Sequence, residues 1–225
     1  MVQTPHWSGD PEAFVDSLFN WMTVTGRRCN CGPETALSRS LCVADRAMAE
    51  GAALHEVCAG LLHVVGNLLI CTDFSCDSGA VRSKSHDIGA RWLSAMFPHS
   101  VSEPIRLLPD ARRWLFATDS EFRKTLSDDA MRELAIMGGP MVESERLAFE
   151  NRFCFQEAAA LSKRIEWAMD KSCSHWTPNH LSFFRQQVID CLTSAAAFKT
   201  GTGRSPIRIS RSYPAPETAA IARHR

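Results

Sequence analysis

Apolar residues recur every three or four positions along most of this chain, which is the spacing expected of helices that bury one face. The first such stretch begins at Asp10-Pro11-Glu12, where a capping residue precedes a proline and an acid, and Gly26 ends it. A second stretch begins at Pro33-Glu34, and Gly51 breaks it. Both stretches predict amphipathic helices, with apolar faces formed by Phe14, Leu18, Trp21 and Met22 and by Leu37, Leu41, Ala44 and Met48.

The most apolar stretch runs from about residue 53 to residue 71 and is hydrophobic on almost every side. Such a helix is normally the buried centre of a helical domain. Its longest apolar run, residues 57–71, contains His63 and Asn67, so it is too short and too polar to span a bilayer. We therefore expect a central core helix and no membrane segment.

The remainder of the chain also has helical spacing, and we find neither an alternating strand pattern nor an internal repeat. A loop is predicted at 72–84, and Pro109 should kink or split the helix that covers 103–115. Ser127 should cap a later helix that ends at Gly138-Gly139-Pro140. The predicted fold class is therefore all-α, with further helices around 88–97 and near 142–150, 154–171 and 178–197.

Composition changes sharply at the end of the chain. The 225 residues fit one domain with a tail. Residues 199–225 carry six lysines and arginines against the single acid Glu217, together with three prolines. We therefore expect a helical domain at 1–198 and a flexible basic tail at 199–225.

The charge balance and the cysteines bear on partners and compartment. Lys+Arg and Asp+Glu are both 25, so the formal net charge is zero, which argues against binding nucleic acid or membrane through bulk charge. The first residues have no signal-peptide pattern, and nine cysteines without one suggest reduced thiols in a cytoplasmic protein. The spacings of Cys29 with Cys31 and of Cys71 with Cys76 do not match a zinc ribbon, which favours cysteines that act as small buried apolar residues.

Three parts of the chain together resemble the HD-domain mixed-valent di-iron oxygenases, a family that includes phosphonate-degrading oxygenases and is distantly similar to myo-inositol oxygenase. The resemblance covers most of 30–170 and implies an HD-domain helical bundle. Its most specific part is the Gly-Gly-Pro-Met segment with the Arg-Trp-Leu sequences upstream. The segments are 35–41 (TALSRSL) with 51–52, then 59–69 (AGLLHVVGNLL), and then 89–93 (GARWL), 111–115 (ARRWL), 126–128 (LSD), 138–141 (GGPM), Glu145 and 149–150.

The resemblance implies five helices that direct histidine and aspartate ligands at two irons, because iron takes imidazole ligands and a carboxylate can bridge two ions. Of about six ligand positions, only His63 keeps a ligand type. The second histidine of the dyad segment, a second-shell or substrate residue, falls on Asn67. The other ligand positions fall on Arg39, Val64, Ser85 with His86 one residue later, Leu108, and Ile165 with Glu166 one residue later.

A guanidinium cannot ligate a metal, so the altered positions predict a catalytically degenerate homologue without a bound cofactor. We expect a structural or regulatory subunit that pairs with a catalytic HD-domain oxygenase or with itself, in which Arg39 pairs with a carboxylate inside the vacated site. The family's substrate-clamping tyrosine and acid fall near Cys29 and Gly32. The remaining pocket would comprise Arg39, His63, Asn67, Arg112 and Arg113, the last two matching a Lys-Arg pair whose lysine helps to hold an anionic substrate.

Two other hypotheses remain open. Residues 85–89 read literally as an HDIG motif, so a divergent iron-dependent oxygenase or a phosphohydrolase could use His63, His86 and Asp87, with Asp110 or Asp170 completing the set. The polar run at 81–85 favours instead a solvated helix start, and a lone histidine such as His63 is typically a hydrogen-bonded core residue. The third hypothesis is a module that binds a small anionic molecule through Arg39 and Arg112.

Overall fold

The structure is a computed structural model that describes residues 3–28, 36–73, 84–169 and 179–199. Within these ranges every regular element is a helix, which confirms the all-α prediction and is consistent with an HD-domain bundle. The helices are α1 (Pro11–Arg28), α2 (Ala36–Ala49), α3 (Leu54–Leu62), α4 (Val65–Asp73), α5 (Ser85–Ser94), α6 (His99–Arg106), α7 (Leu108–Thr118), α8 (Ser120–Thr125), α9 (Asp128–Ile136), α10 (Glu143–Glu150), α11 (Phe155–Met169), a 3-10 turn (Leu181–Phe184) and α12 (Arg185–Lys199).

The predicted helix ends follow local chemistry. The Asp10 carboxylate accepts the backbone N–H of Glu12 at 2.9 Å, and the Ser127 hydroxyl accepts that of Ala130 at 3.2 Å, so both predicted caps are confirmed. Gly138 and Gly139 have φ of +106° and +71° and end the segment after α9, as predicted. The 103–115 stretch splits at Leu107, as predicted, and Pro109 lies in the first turn of α7, where a proline is tolerated.

Two predictions of helix boundaries need correction. The single helix predicted at 53–71 divides at His63 and Val64 into α3 and α4. The short helix α8 was not predicted; it begins because the Asp119 carboxylate caps the backbone of Glu121 and Phe122. The predicted loop at 72–84 and the start of the second helix at Pro33-Glu34 lie mostly or wholly outside the described residues.

Helices α3 and α4 form the centre of the bundle. Their residues Val57, Leu61, Leu62, Val65 and Leu68 are all at most 4% exposed, and α2, α6, α11 and α12 pack against α3 while α1 and α5 pack against α4. Of the described residues, only Leu54–Cys71 is long and apolar enough to cross a membrane, and 72% of that stretch is buried inside the protein. This burial is that of a core helix in a globular domain.

Helices α4 and α5 approach each other at a pair of glycines. A Cβ on Gly66 would lie 1.8 Å from the Ser85 carbonyl oxygen, and a Cβ on Gly89 would lie 2.8 Å from the Gly66 nitrogen. No other residue type fits at such a backbone-to-backbone crossing. The glycine pair therefore fixes the start of α5 beside the junction between α3 and α4.

Polar contacts tie the last described segment to the earlier helices. Asp45, which is 5% exposed, accepts both the backbone and the side-chain N–H of Asn179. Arg185 at the start of α12 binds Asp16 on α1 at 2.7 Å. Residues 200–225 lie outside the described ranges, so the basic tail stays a prediction.

The cysteines in the described ranges are free thiols. Cys42, Cys58, Cys154 and Cys191 are buried, which agrees with their interpretation as small apolar core residues. Cys29, Cys31 and Cys76 lie outside the described residues.

Candidate functional site

Five polar side chains, each from a different part of the bundle, interact electrostatically in its interior. They are Arg39 on α2, His63 after α3, His86 on α5, Arg112 on α7 and Glu166 on α11, and we call this group the central polar cluster. Arg39 and His86 act electrostatically on His63, while Arg112 acts on His86, and both arginines act on Glu166. The cluster therefore occupies the region to which the resemblance assigns the metal centre.

His63 is a buried neutral histidine with a fixed tautomer. Its side chain is 7% exposed, and its Nδ1 lies 2.7 Å from the Gly60 carbonyl oxygen. Because a carbonyl can only accept, Nδ1 carries the proton and Nε2 keeps a lone pair. The pKa of His63 is lowered to about 4, mainly by burial, and the neighbouring His86 and Arg39 contribute to this shift. His63 is therefore neutral at pH 7, and its bond to Gly60 is the core contact expected from the sequence.

His86 faces the same interior because the Gly66–Gly89 crossing holds the first turn of α5 against α4. Burial lowers the pKa of His86 to about 4, and Arg112 contributes to the same shift. Its neighbour Asp87 is exposed and interacts electrostatically with Arg106. The literal His-Asp pair therefore divides between the interior and the surface.

The carboxylate of Glu166 pairs with Arg112 in the interior. Glu166 is 7% exposed, and one of its oxygens lies 2.5 Å from Arg112 Nη2, although this N–H is not aligned for a hydrogen bond. Arg112 Nη1 also reaches Glu133 on α9 at 3.2 Å. Burial raises the pKa of Glu166, and the Arg112 charge opposes that rise. The guanidinium thus stands between an inner and an outer carboxylate.

Arg39 places a second fixed positive charge in the cluster. Its Nε is buried and makes no hydrogen bond to any described residue. Its charge favours the ionised form of Glu166 and the neutral form of His63, although no carboxylate of the described part of the chain lies within ion-pair distance of it. The expected ion pair between Arg39 and an internal carboxylate is therefore not found among the described residues, and Arg39 acts on Glu166 only through its longer-range charge.

The other positions that the resemblance assigns to ligands are apolar or turned elsewhere. Val64 is 1% exposed and Leu108 is 5% exposed, so both are core residues. Ser85 presents its carbonyl to Gly66, and Ile165 packs into the main core. Their neighbours His86 and Glu166 face the cluster instead, because one residue along a helix rotates a side chain by about 100°. Sequence comparison alone could not choose between adjacent positions.

The remaining candidate residues lie apart from the cluster or are partly exposed. Arg113 donates its Nε to the Gly139 carbonyl at 2.9 Å and pairs with both Glu145 oxygens through Nη2 at 2.9 Å. It therefore fixes the Gly-Gly-Pro-Met turn and does not face the interior site. Asn67 is half-buried on α4, and Asp110 lies 3.9 Å from Arg152. Asp170, Cys29 and Gly32 lie outside the described residues.

The cluster does not fit a di-iron centre. Two irons need several imidazole and carboxylate ligands, including a carboxylate bridge. In the described ranges no three His, Cys, Asp or Glu side chains converge as a metal-binding group. Val64 and Leu108 offer no donor atom, and Arg39 repels cations. The donor set therefore differs from what two irons require.

Comparison with known proteins supports the resemblance to phosphonate oxygenases. The chain is 29% identical over 158 residues to a hydroxymethylphosphonate dioxygenase of Gimesia maris, a match that covers 70% of this chain and 78% of that protein. It is 30% identical over 128 residues to a glycine-betaine-forming (1-hydroxy-2-(trimethylamino)ethyl)phosphonate dioxygenase of Leisingera caerulea, covering 53% of this chain and 64% of the relative. No family model matches the chain. The chain is thus similar in sequence to two dioxygenases that act on phosphonates.

Proposed function

We propose that this chain is a non-catalytic homologue of phosphonate-oxygenase-like HD proteins and acts as a structural or regulatory subunit. The observation that carries the proposal is the ion pair between Glu166 and Arg112 at the centre of the bundle, with the Arg39 charge beside it. A carboxylate that is neutralised by an arginine is a poor ligand for a cation, and removing its partner would leave a costly buried charge. These internal charges, at the place where the resemblance implies metal ligands, support a non-catalytic role.

Association with another chain is the second part of the proposal. Seven large apolar side chains of the described residues are notably exposed, and five of them lie between positions 131 and 153. Ile136 and Phe153 are 82% and 64% exposed. Such concentrated apolar exposure supports a contact made by helical surface around α9 and α10, with a catalytic HD-domain oxygenase or a second copy as partner.

Metal analysis tests the first part. The protein is purified without chelator, incubated anaerobically with ferrous iron, desalted and analysed for iron. We expect iron far below one per chain, because the ligand positions carry Arg39, Val64 and Leu108. Near-stoichiometric iron, about two per chain as a di-iron mechanism needs, would contradict the proposal.

Light scattering tests the second part, with the chain expressed alone and together with an HD-domain oxygenase encoded nearby. We expect a dimer or heterodimer that Ile136→Asp weakens, while Met169→Asp, at another exposed apolar position, leaves it intact. A well-folded monomer in both samples would reject the subunit role and favour the small-anion hypothesis.

A divergent metal-dependent enzyme is a second candidate. It is favoured by two neighbouring histidines, His63 and His86, that interact electrostatically in the interior, and by the His63 tautomer, which leaves Nε2 free in the manner of metal-bound histidines. Iron would be the cofactor in that case. The same metal analysis separates the candidates, since loss of bound iron in His63→Gln and His86→Gln would support this one.

A further inference from the structure

Helix α9 makes fewer packing and polar contacts with the bundle than the other helices around the central polar cluster do. Only Ala130 and Leu134 of this helix are buried, whereas α11 buries seven side chains. Its polar tie to the cluster is the contact between Glu133 and Arg112 at 3.2 Å, in which the Glu133 side chain is 63% exposed. Exposed ion pairs are weak, so α9 is joined to the bundle by few and small contributions.

Both ends of α9 have backbone suited to a hinge. Before the helix, Ser127 is extended with ψ of 165° and caps the first turn. After it, Gly138 and Gly139 both have positive φ, a region that glycine enters without strain. Arg113 holds the Gly139 carbonyl and Glu145, so the far side of this glycine pair is anchored to α7. Movement would therefore be confined to the segment between Ser127 and Gly138.

The position of Glu133 shows what such a movement would uncover. Arg112 binds Glu133 through Nη1 and Glu166 through Nη2, so α9 lies at the outer end of the buried ion pair. If α9 moves outward, Arg112 keeps its inner partner and loses its outer one. The buried charge then stays compensated, which avoids the large penalty of an unpaired interior charge.

From these contacts we infer that α9 is a latched lid over the central polar cluster, with the Glu133–Arg112 ion pair as the latch and Ser127 and Gly138-Gly139 as hinges. Opening admits water and small solutes to Arg112 and Glu166 while the rest of the bundle stays folded. The inference goes beyond the proposed function, because it requires no bound metal and concerns the free chain; a partner bound at α9 and α10 would hold the lid closed, so it is tested on chain that light scattering shows to be monomeric.

Hydrogen exchange of the full chain, followed by mass spectrometry, tests the lid. We expect α9 amides to exchange at least tenfold faster than α11 amides, and Glu133→Gln to accelerate exchange of α9 by about two- to fivefold, as loss of an exposed ion pair implies. Glu133 lies in the last turn of α9, where neutralising an acid should by itself stabilise the helix. A purely local effect of Glu133→Gln would therefore slow exchange of the α9 amides, whereas loss of the latch would accelerate it.

Arg132→Gln is the matched control, because Arg132 pairs with Asp129 inside the same helix and both side chains are largely exposed. We expect it to accelerate α9 exchange less than Glu133→Gln does. The lid is rejected if α9 exchanges as slowly as α11, if Glu133→Gln slows or does not change its exchange, or if the two variants behave alike.

Discussion

Arg112 and Arg113 are consecutive on α7, and their surroundings differ completely. Arg113 binds Gly139 and Glu145 and holds together the Gly-Gly-Pro-Met segment, the most specific part of the resemblance to phosphonate oxygenases. Arg112 faces inward and pairs with Glu166 where that resemblance would require metal chemistry. The residues that resemble the relatives near Arg113 have packing roles, so their similarity reports on the fold. The residues around Arg112 occupy the part of the bundle where that resemblance implies metal ligands, so they are the ones that bear on the chemistry.

The crossing of α4 and α5 at Gly66 and Gly89 is, like the Arg113 contacts, a packing feature of the fold. Gly66 and Gly89 allow two helix backbones to touch, a requirement that has nothing to do with metal. The glycine pair can therefore fix the packing of α4 against α5 whatever residues fill the interior beside it. Substitutions in the packing contacts and in the central polar cluster test whether the two regions can be altered independently.

The largest expected effect comes from placing a carboxylate at position 64, to which the resemblance assigns the bridging ligand. Val64 is 1% exposed, so Val64→Asp should bury an unpaired carboxylate and cost about 3–5 kcal/mol of unfolding free energy at pH 7. Urea unfolding measures this cost. Val64→Asn, which cannot ionise, is the matched control, and only the Asp variant should regain stability as the pH falls. Unchanged stability, or new iron uptake by the variant, would contradict the assignment of Val64 to the core.

The next effect concerns the glycine crossing. Gly66→Ala should force α4 and α5 apart, because its Cβ would overlap the Ser85 carbonyl oxygen, and we expect a loss of about 3 kcal/mol. Gly26→Ala is the matched control: its Cβ would approach the Leu37 side chain at 3.2 Å, and the higher helix propensity of alanine offsets the crowding. If both variants unfold at the same urea concentration, the close crossing is not required.

The smallest effect is a pH dependence of the cluster. The pKa of His86 is about 4 in the folded state and about 6.5 when unfolded. The unfolded state binds more protons between these values, so this contribution to stability is present above pH 6.5 and is lost as the pH falls toward 4. At pH 5 the loss is about 2 kcal/mol for this histidine.

His86→Gln should therefore flatten the dependence of unfolding free energy on pH between 7 and 5. His180→Gln, at an exposed position, serves as the control and should retain the slope of the unaltered protein. An identical slope in both variants would mean that His86 titrates normally and does not belong to the buried cluster.

Sequence patterns predicted the helical class, the caps at Asp10 and Ser127 and the split at Pro109, because these depend on residues close together in the chain. They did not predict the break at His63 and Val64, because the apolar pattern runs through it without interruption and the low helix propensity of Val64, Val65 and Gly66 is a weak signal. The central polar cluster was only partly predictable. Arg39, His63 and Arg112 were named as pocket residues, but whether His86 or Ser85, and Glu166 or Ile165, faces inward depends on helix rotation. That rotation is set by packing between distant segments.

Helix α12 carries a consequence for the order in which this chain can fold. It packs against α1 and α3, and Arg185 at its first position reaches Asp16 across 169 positions of sequence. Helix α12 thus covers apolar sides of α1 and α3. During synthesis these apolar sides stay uncovered until almost the whole domain has left the ribosome, which exposes the nascent chain to aggregation for most of its production time.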